Sequence, residues 1–207
     1  MFHYNPDNKI LQALSLYFDL VVLAAVWAVT SVPIVTIGVS TTALYRVLFR
    51  MQSEDGMTHV VRSFFSYWRS EWKQSIAIGM LLLGFLTLAG GNLLICAAYL
   101  PAGTAGIVLW SGALLSLVMA LCLLVYVFPI NARFHCTIRQ VFANAARFMA
   151  GNPGQTLVLV LLLMLMGASA LVLLALSVFV MGPVLYLSAK RLNAVFTPVV
   201  RRYEEEC

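Results

Sequence analysis

One acidic residue, Asp19, lies inside a long apolar run near the start of the chain. It stands about eight residues into the run, ~12 Å from its beginning at 1.5 Å per residue. A carboxylate at that depth costs at least ~2–3 kcal/mol in a bilayer, so it needs a proton, water or a partner. Asp19 is therefore a candidate proton, ion or substrate group. The alternatives are an acid at headgroup level and a structural partner of a basic residue, for which Arg46 is favoured.

A second polar residue, Asn92, follows two glycines within an apolar run that carries no charge. Small residues let transmembrane helices approach closely, and an amide can form a hydrogen bond between them. This pattern favours helix packing as the role of Asn92. A role in a polar transport path is the alternative.

No pattern in the chain is typical of catalysis or metal binding. The three histidines, at positions 3, 59 and 135, form neither an HxxxH nor an HxH pair, so we predict no metal site. No Walker loop, glycine-rich dinucleotide turn or nucleophile motif is present. We therefore predict a protein that is not an enzyme, with no catalytic residues and no cofactor.

The composition identifies the class of protein. Apolar types make up 62% of the 207 residues and charged types 10%, against roughly 45–50% and ~25% in soluble domains. These values exclude a soluble enzyme, a disordered chain and a disulfide-stapled secreted domain. The net charge of +5 comes from basic residues in short segments between apolar runs. That placement is typical of residues that orient membrane helices, so we expect no nucleic-acid partner.

Long apolar runs predict the transmembrane segments. Three runs are predicted to span once, and Pro33 and Pro129 are expected to end the first and third of them. A fourth run of 33 residues without a charge would be ~50 Å long as one helix, well above the ~30 Å hydrocarbon thickness. We therefore predict a helical hairpin there, broken at its small residues or at Gly182-Pro183. The runs are residues 11–32, 76–99, 107–128 and 156–188.

Two segments between the runs have amphipathic helical patterns. In residues 60–74, apolar residues recur at the spacing of one helical face, with basic residues opposite; they are Val61, Phe64, Phe65, Trp68 and Trp72. Phe64, Trp68 and Trp72 are the predicted interfacial anchors of a helix in the headgroup plane. A helix packed on the rest of the protein is the alternative. Residues 130–155 show a similar pattern.

The basic segments predict the orientation. They follow the first and third runs and the hairpin, and all three are expected in the cytoplasm. The predicted fold is an all-α polytopic membrane protein, a single integral membrane domain with about five transmembrane helices and two interfacial helices. Its N-terminus lies outside and its C-terminus in the cytoplasm. If residues 34–49 also cross, the chain has six spans and a cytoplasmic N-terminus.

Several strings resemble the YesL family of bacterial membrane proteins. They are NPDNKI (residues 5–10), FDL (18–20), SVPIVTIGVSTTALY (31–45), RSFFSYWRSEWKQS (62–75) and FPINARF (128–134). The resemblance implies a small multi-pass protein of the bacterial cell membrane, from a family without an established activity. Family members are often encoded near carbohydrate ABC-transport genes. The resemblance supplies no catalytic residues.

Two functions follow as expectations. The first is an accessory or regulatory component of a carbohydrate-uptake ABC transport system, whose partners are the lipid bilayer and membrane subunits of the transporter. The second is a small transporter or channel subunit with Asp19 in a polar path, together with Asn92 and the hydroxyl-rich residues 36–42. A water-sized cavity shared by these polar residues would favour the second function.

Overall fold

The computed structural model describes residues 9–52, 59–70, 72–99, 104–134, 136–172 and 174–205. Within these ranges every regular element is helical, which confirms the predicted all-α class. The elements are α1 (Lys9–Thr30), a 3-10 turn (Ile34–Thr36), α2 (Ile37–Met51), α3 (Val60–Ser70), α4 (Trp72–Tyr99), α5 (Thr104–Arg133), α6 (Ile138–Gly151), α7 (Pro153–Val172) and α8 (Leu174–Glu205).

Several of these helices have the length and apolarity of membrane spans. Among the described residues three qualify: Ile34–Met51, Trp72–Ala98 and Gly106–Arg133. Ile138–Gly151 and Pro153–Gly167 qualify only as a pair, which is bent by 109°. Leu14–Thr30 is a shorter apolar helix. The chain is therefore a polytopic helical membrane protein, and the count of five crossings stays a prediction.

The chain reverses between α1 and α2. Pro33 has an extended backbone, with φ −74° and ψ 121°, and precedes the 3-10 turn. Beyond it, Ser40 Oγ donates a hydrogen bond to the Thr30 carbonyl at 3.2 Å, and Trp27 Nε1 donates to Thr41 Oγ1 at 3.2 Å. Since later residues of α2 meet earlier residues of α1, the two helices are antiparallel.

For residues 34–49 the sequence leaves undecided whether they cross the membrane. In the structure they form the 3-10 turn and most of α2, a helix of the bundle. α2 is its central element and packs against α1, α3, α4, α5 and α8. Because α2 returns beside α1, its last turns lie at the end of the bundle where α1 begins. This geometry is that of the alternative in which residues 34–49 form a further membrane helix.

The predicted end of the third span at Pro129 is wrong. α5 continues through Pro129 to Arg133. Proline removes one backbone donor, but neighbouring helices allow it within membrane helices. Phe128 and Ile130 are both buried, and the Phe134 amide donates to the Ile130 carbonyl at 2.9 Å. Packing on both sides of the proline therefore keeps this turn helical.

The long apolar run at residues 156–188 is divided between two helices, α7 and α8. α7 and α8 pack against each other, and residues 159–166 of α7 line the same cavity as residues 184–188 of α8. Segments at similar distances from the break therefore meet, so the two helices are antiparallel. The small residues at 167–169 lie within α7, and Gly182 and Pro183 lie within α8. The predicted break positions are therefore wrong. Gly182 is used for packing instead, since a Cβ there would lie 2.9 Å from the Leu20 carbonyl oxygen of α1.

Candidate functional site

A buried polar cluster joins α2, α4 and α5. Asn131 Nδ2 donates to Ser75 Oγ at 3.1 Å and to Thr42 Oγ1 at 3.5 Å. Asn131 Oδ1 accepts a hydrogen bond from Gln74 Nε2 at 3.0 Å. The side chains of Asn131, Ser75 and Thr42 are all buried. One amide therefore connects three helices.

Two members of this polar cluster also bind the backbone. Gln74 Nε2 also donates to the Cys136 carbonyl at 2.7 Å, and Thr42 Oγ1 donates to the Gly38 carbonyl at 2.9 Å. Because buried polar groups are costly unless they are paired, a satisfied network of this kind fixes the arrangement of its helices. The role of this polar cluster is therefore to hold the three helices in place.

Close backbone packing brings the polar cluster together. A Cβ on Gly38 would lie 2.6 Å from the Ser75 carbonyl oxygen and 3.0 Å from Gly79 Cα. The backbones of α2 and α4 are therefore in contact at this point. Two glycines permit this approach, since any side chain would push the helices apart.

The sequence reasoning missed Asn131 and its partners. A signal was present, because Asn131 is polar at the end of an apolar run and Gln74-Ser75 begins the next run. The pattern does not show that these positions meet, since Asn131 and Ser75 are separated by 56 residues. Only the packing of the helices pairs them.

A cavity of about 180 Å³ lies between five helices. Its walls are apolar apart from four side chains, which come from α1, α2 and α8: Trp27, Thr41, Tyr45 and Ser188. These four form two pairs. The indole of Trp27 donates to Thr41, and the hydroxyls of Tyr45 and Ser188 share a hydrogen bond at 3.2 Å. Ser188 Oγ also donates to the Leu185 carbonyl at 2.8 Å.

Asp19 and Arg46 are not a pair. Asp19 is half-buried on α1, and no described basic side chain forms an ion pair with it. The Arg46 guanidinium instead lies over the Tyr67 ring of α3, 5.3 Å from its centroid. The predicted Asp19–Arg46 contact is therefore wrong. The Arg46 guanidinium lies within cation–π distance of the Tyr67 ring, on the side of α3.

The other candidate polar residues are dispersed. Asn92 is exposed on α4, and its Oδ1 lies 3.9 Å from Cys96 Sγ. Thr36 Oγ1 donates to the Thr30 carbonyl at 2.7 Å. Of the polar side chains on the predicted path only that of Thr41 lines the cavity, so these residues form no shared polar cavity in the described part of the chain.

The predicted helix over residues 60–74 is divided. α3 ends at Ser70, and Trp72 belongs to α4. Phe64 is fully buried and Trp68 is half-buried against the core, whereas Trp72 is 49% exposed. α3 therefore packs on the protein through Phe64. This is the alternative given above for residues 60–74, a helix packed on the rest of the protein. Its outer face carries exposed Phe65 beside basic residues: Arg62 and Arg69.

Three features of the sequence lie outside the described residues. They are His3, His135 and residues 5–8 of the NPDNKI string. In the part that the structure describes, no three histidine, cysteine, aspartate or glutamate side chains come together as a metal site would require.

The comparisons with known proteins give one match. Residues 20–93 match the model of one protein family. That family is described as "Protein of unknown function, DUF624". The matched segment runs from α1 into α4 and contains Gly38, Thr42, Ser75 and Gly79. No curated protein and no solved structure matches the chain.

Proposed function

We propose that the protein is an accessory or regulatory component of a carbohydrate-uptake ABC transport system in the bacterial cell membrane. One observation carries the proposal: the side chains of the buried polar cluster between α2, α4 and α5 form their hydrogen bonds within the fold. Asn131, Thr42 and Ser75 bind one another and the backbone. The link to carbohydrate uptake rests on the resemblance to the YesL family.

The apolar cavity between the five helices supports an accessory role over sugar transport. A path for a sugar needs free hydrogen-bonding groups to replace the water that the sugar loses. The cavity wall is apolar, and its polar groups already have partners. The cavity therefore offers little that a polar solute can bind.

The basic end of the bundle provides a surface for a partner. The C-terminal end of α2, the start of α4 and the end of α5 carry Arg50, Lys73 and Arg133. We infer that this end, with the C-terminus of the chain, faces the cytoplasm. α3 lies at this end and exposes Phe65 between Arg62 and Arg69. An exposed aromatic flanked by arginines is typical of an interaction surface.

Purification in a mild detergent tests the proposal. We expect the tagged protein to enrich permease subunits of a carbohydrate ABC transporter over an unrelated tagged membrane protein, as measured by quantitative mass spectrometry. Replacing Arg62 and Arg69 by serine should lower that enrichment severalfold, since the charges lie on the proposed surface. Replacing Arg139 and Arg147 of α6 by serine removes the same charge from another exposed face and is the matched control.

Two results would oppose the proposed function. The first is the absence of transporter subunits at any level above the unrelated protein. The second is solute flux through the purified protein in vesicles, since the proposed accessory role provides no conduction path.

A further inference from the structure

We propose that the cavity between α1, α2, α5, α7 and α8 binds one acyl chain of a membrane phospholipid. Its volume is about 180 Å³. An engineered apolar cavity of ~150 Å³ stays dry and binds benzene. The present cavity therefore has room for a short stretch of hydrocarbon, about six carbons by that comparison.

The shape of the cavity suits a linear chain. On α2 it is lined by Ile37, Thr41 and Tyr45, which follow one another at one-turn spacing and cover about 12 Å. On α7 its lining runs from Leu159 to Met166, about 10 Å at the same rise. A long axis with so small a volume describes a narrow slot, which fits one hydrocarbon chain better than a fused-ring molecule.

The chemistry of the wall selects an apolar occupant. The hydrogen bond from Trp27 to Thr41 and that between Tyr45 and Ser188 already use the polar groups of the lining. Water in the slot would find few free hydrogen-bonding groups, whereas a buried water molecule needs two to four polar partners. Methylene groups gain from burial there without needing any partner.

The bilayer is the source of the chain. The helices that form the wall also present apolar side chains outward, as Leu161 and Leu165 of α7 do with exposed fractions of 59% and 53%. Other residues of α7, from Leu159 to Met166, line the cavity. α7 therefore separates the cavity from the surrounding acyl chains, which are the nearest source of hydrocarbon.

Fluorescence of Trp27 tests the proposal. The other three tryptophans, at positions 68, 72 and 110, are replaced by phenylalanine, and the protein is placed in phosphatidylcholine vesicles with chain-brominated lipid. Bromine in the slot should quench Trp27. Leu163→Phe and Val184→Phe fill the slot from α7 and α8 and should weaken chain binding roughly tenfold, because fewer methylenes are buried. Leu161→Phe, on the outward face of α7, is the matched control. In this variant Trp27 should be quenched as strongly as in the parent.

The outcomes separate clearly. Reduced quenching in the two filling variants, with the control unchanged, supports the proposal. Equal quenching in all variants overturns it. If a filling variant does not fold, native mass spectrometry of the unmutated protein decides: one phospholipid that survives detergent removal supports the site, and its absence opposes it.

Discussion

Gly38→Ala is expected to lower the free energy of unfolding by about 3 kcal/mol, at the upper end of the range for overpacking. The new methyl group would meet the Ser75 carbonyl oxygen at 2.6 Å and Gly79 Cα at 3.0 Å. Both are backbone atoms, so no side chain can rotate away to make room. α2 and α4 must therefore separate, which also stretches the hydrogen bonds of Asn131. Thermal unfolding in detergent measures the loss.

Gly84→Ala is the matched control for this effect. Gly84 lies on the same helix as Gly79, and a Cβ there would meet nothing within 4 Å. Alanine is the better helix former by about 1 kcal/mol, so this variant should be as stable as the parent or more stable. Equal destabilisation by Gly38→Ala and Gly84→Ala would show that the contact between α2 and α4 does not hold the bundle together.

Asn131→Leu is expected to lower the free energy of unfolding by about 2–3 kcal/mol, because it leaves buried polar groups without a partner. Ser75 loses a donor at 3.1 Å and Gln74 loses its acceptor at 3.0 Å. Leucine has a similar volume, so the loss reports hydrogen bonding more than packing. The shift in thermal unfolding measures it.

Asn92→Leu provides the comparison with an exposed amide. Asn92 lies on the outside of α4, and its replacement leaves no buried group unpaired. This variant should keep the stability of the parent. A stable Asn131→Leu protein, or an Asn92→Leu protein that unfolds as easily, would contradict the structural role assigned to the buried polar cluster.

Hydropathy was sufficient for the helical class because a membrane span is a local property of the chain. The three runs predicted to span once become α1, α4 and α5, with shifts of at most five residues at their ends. The fourth run becomes α7 and the first half of α8, which continues to Glu205. α2 was harder to assign because its hydroxyl groups lower its apolarity. In the structure Ser40 and Thr42 donate to backbone carbonyls, so these hydroxyls are compatible with a helix inside the bundle.

Features that depend on packing between distant segments could not be predicted. Pro129 ends a helix by local rules, yet buried neighbours keep α5 intact beyond it. The Asp19–Arg46 pair was inferred from the break at Pro33 and the reach of a long arginine side chain, but in the structure the Arg46 guanidinium lies over the Tyr67 ring of α3. The partners of Asn131 are likewise fixed by the approach of α2 to α4, for which Gly38 gives no local signal.

The proposed function requires the basic end of the bundle to face the cytoplasm, and thiol labelling measures this directly. Cys136 lies between α5 and α6 at that end, whereas Cys96 is buried in α4. An exposed reporter at the same end is Ser70→Cys, and Thr104→Cys marks the opposite end at the start of α5. An impermeant maleimide on intact protoplasts should label Thr104→Cys and spare Cys136 and Ser70→Cys until the membrane is permeabilised. Labelling of Cys136 or Ser70→Cys in intact protoplasts would place the basic end outside the cell and contradict the proposed orientation.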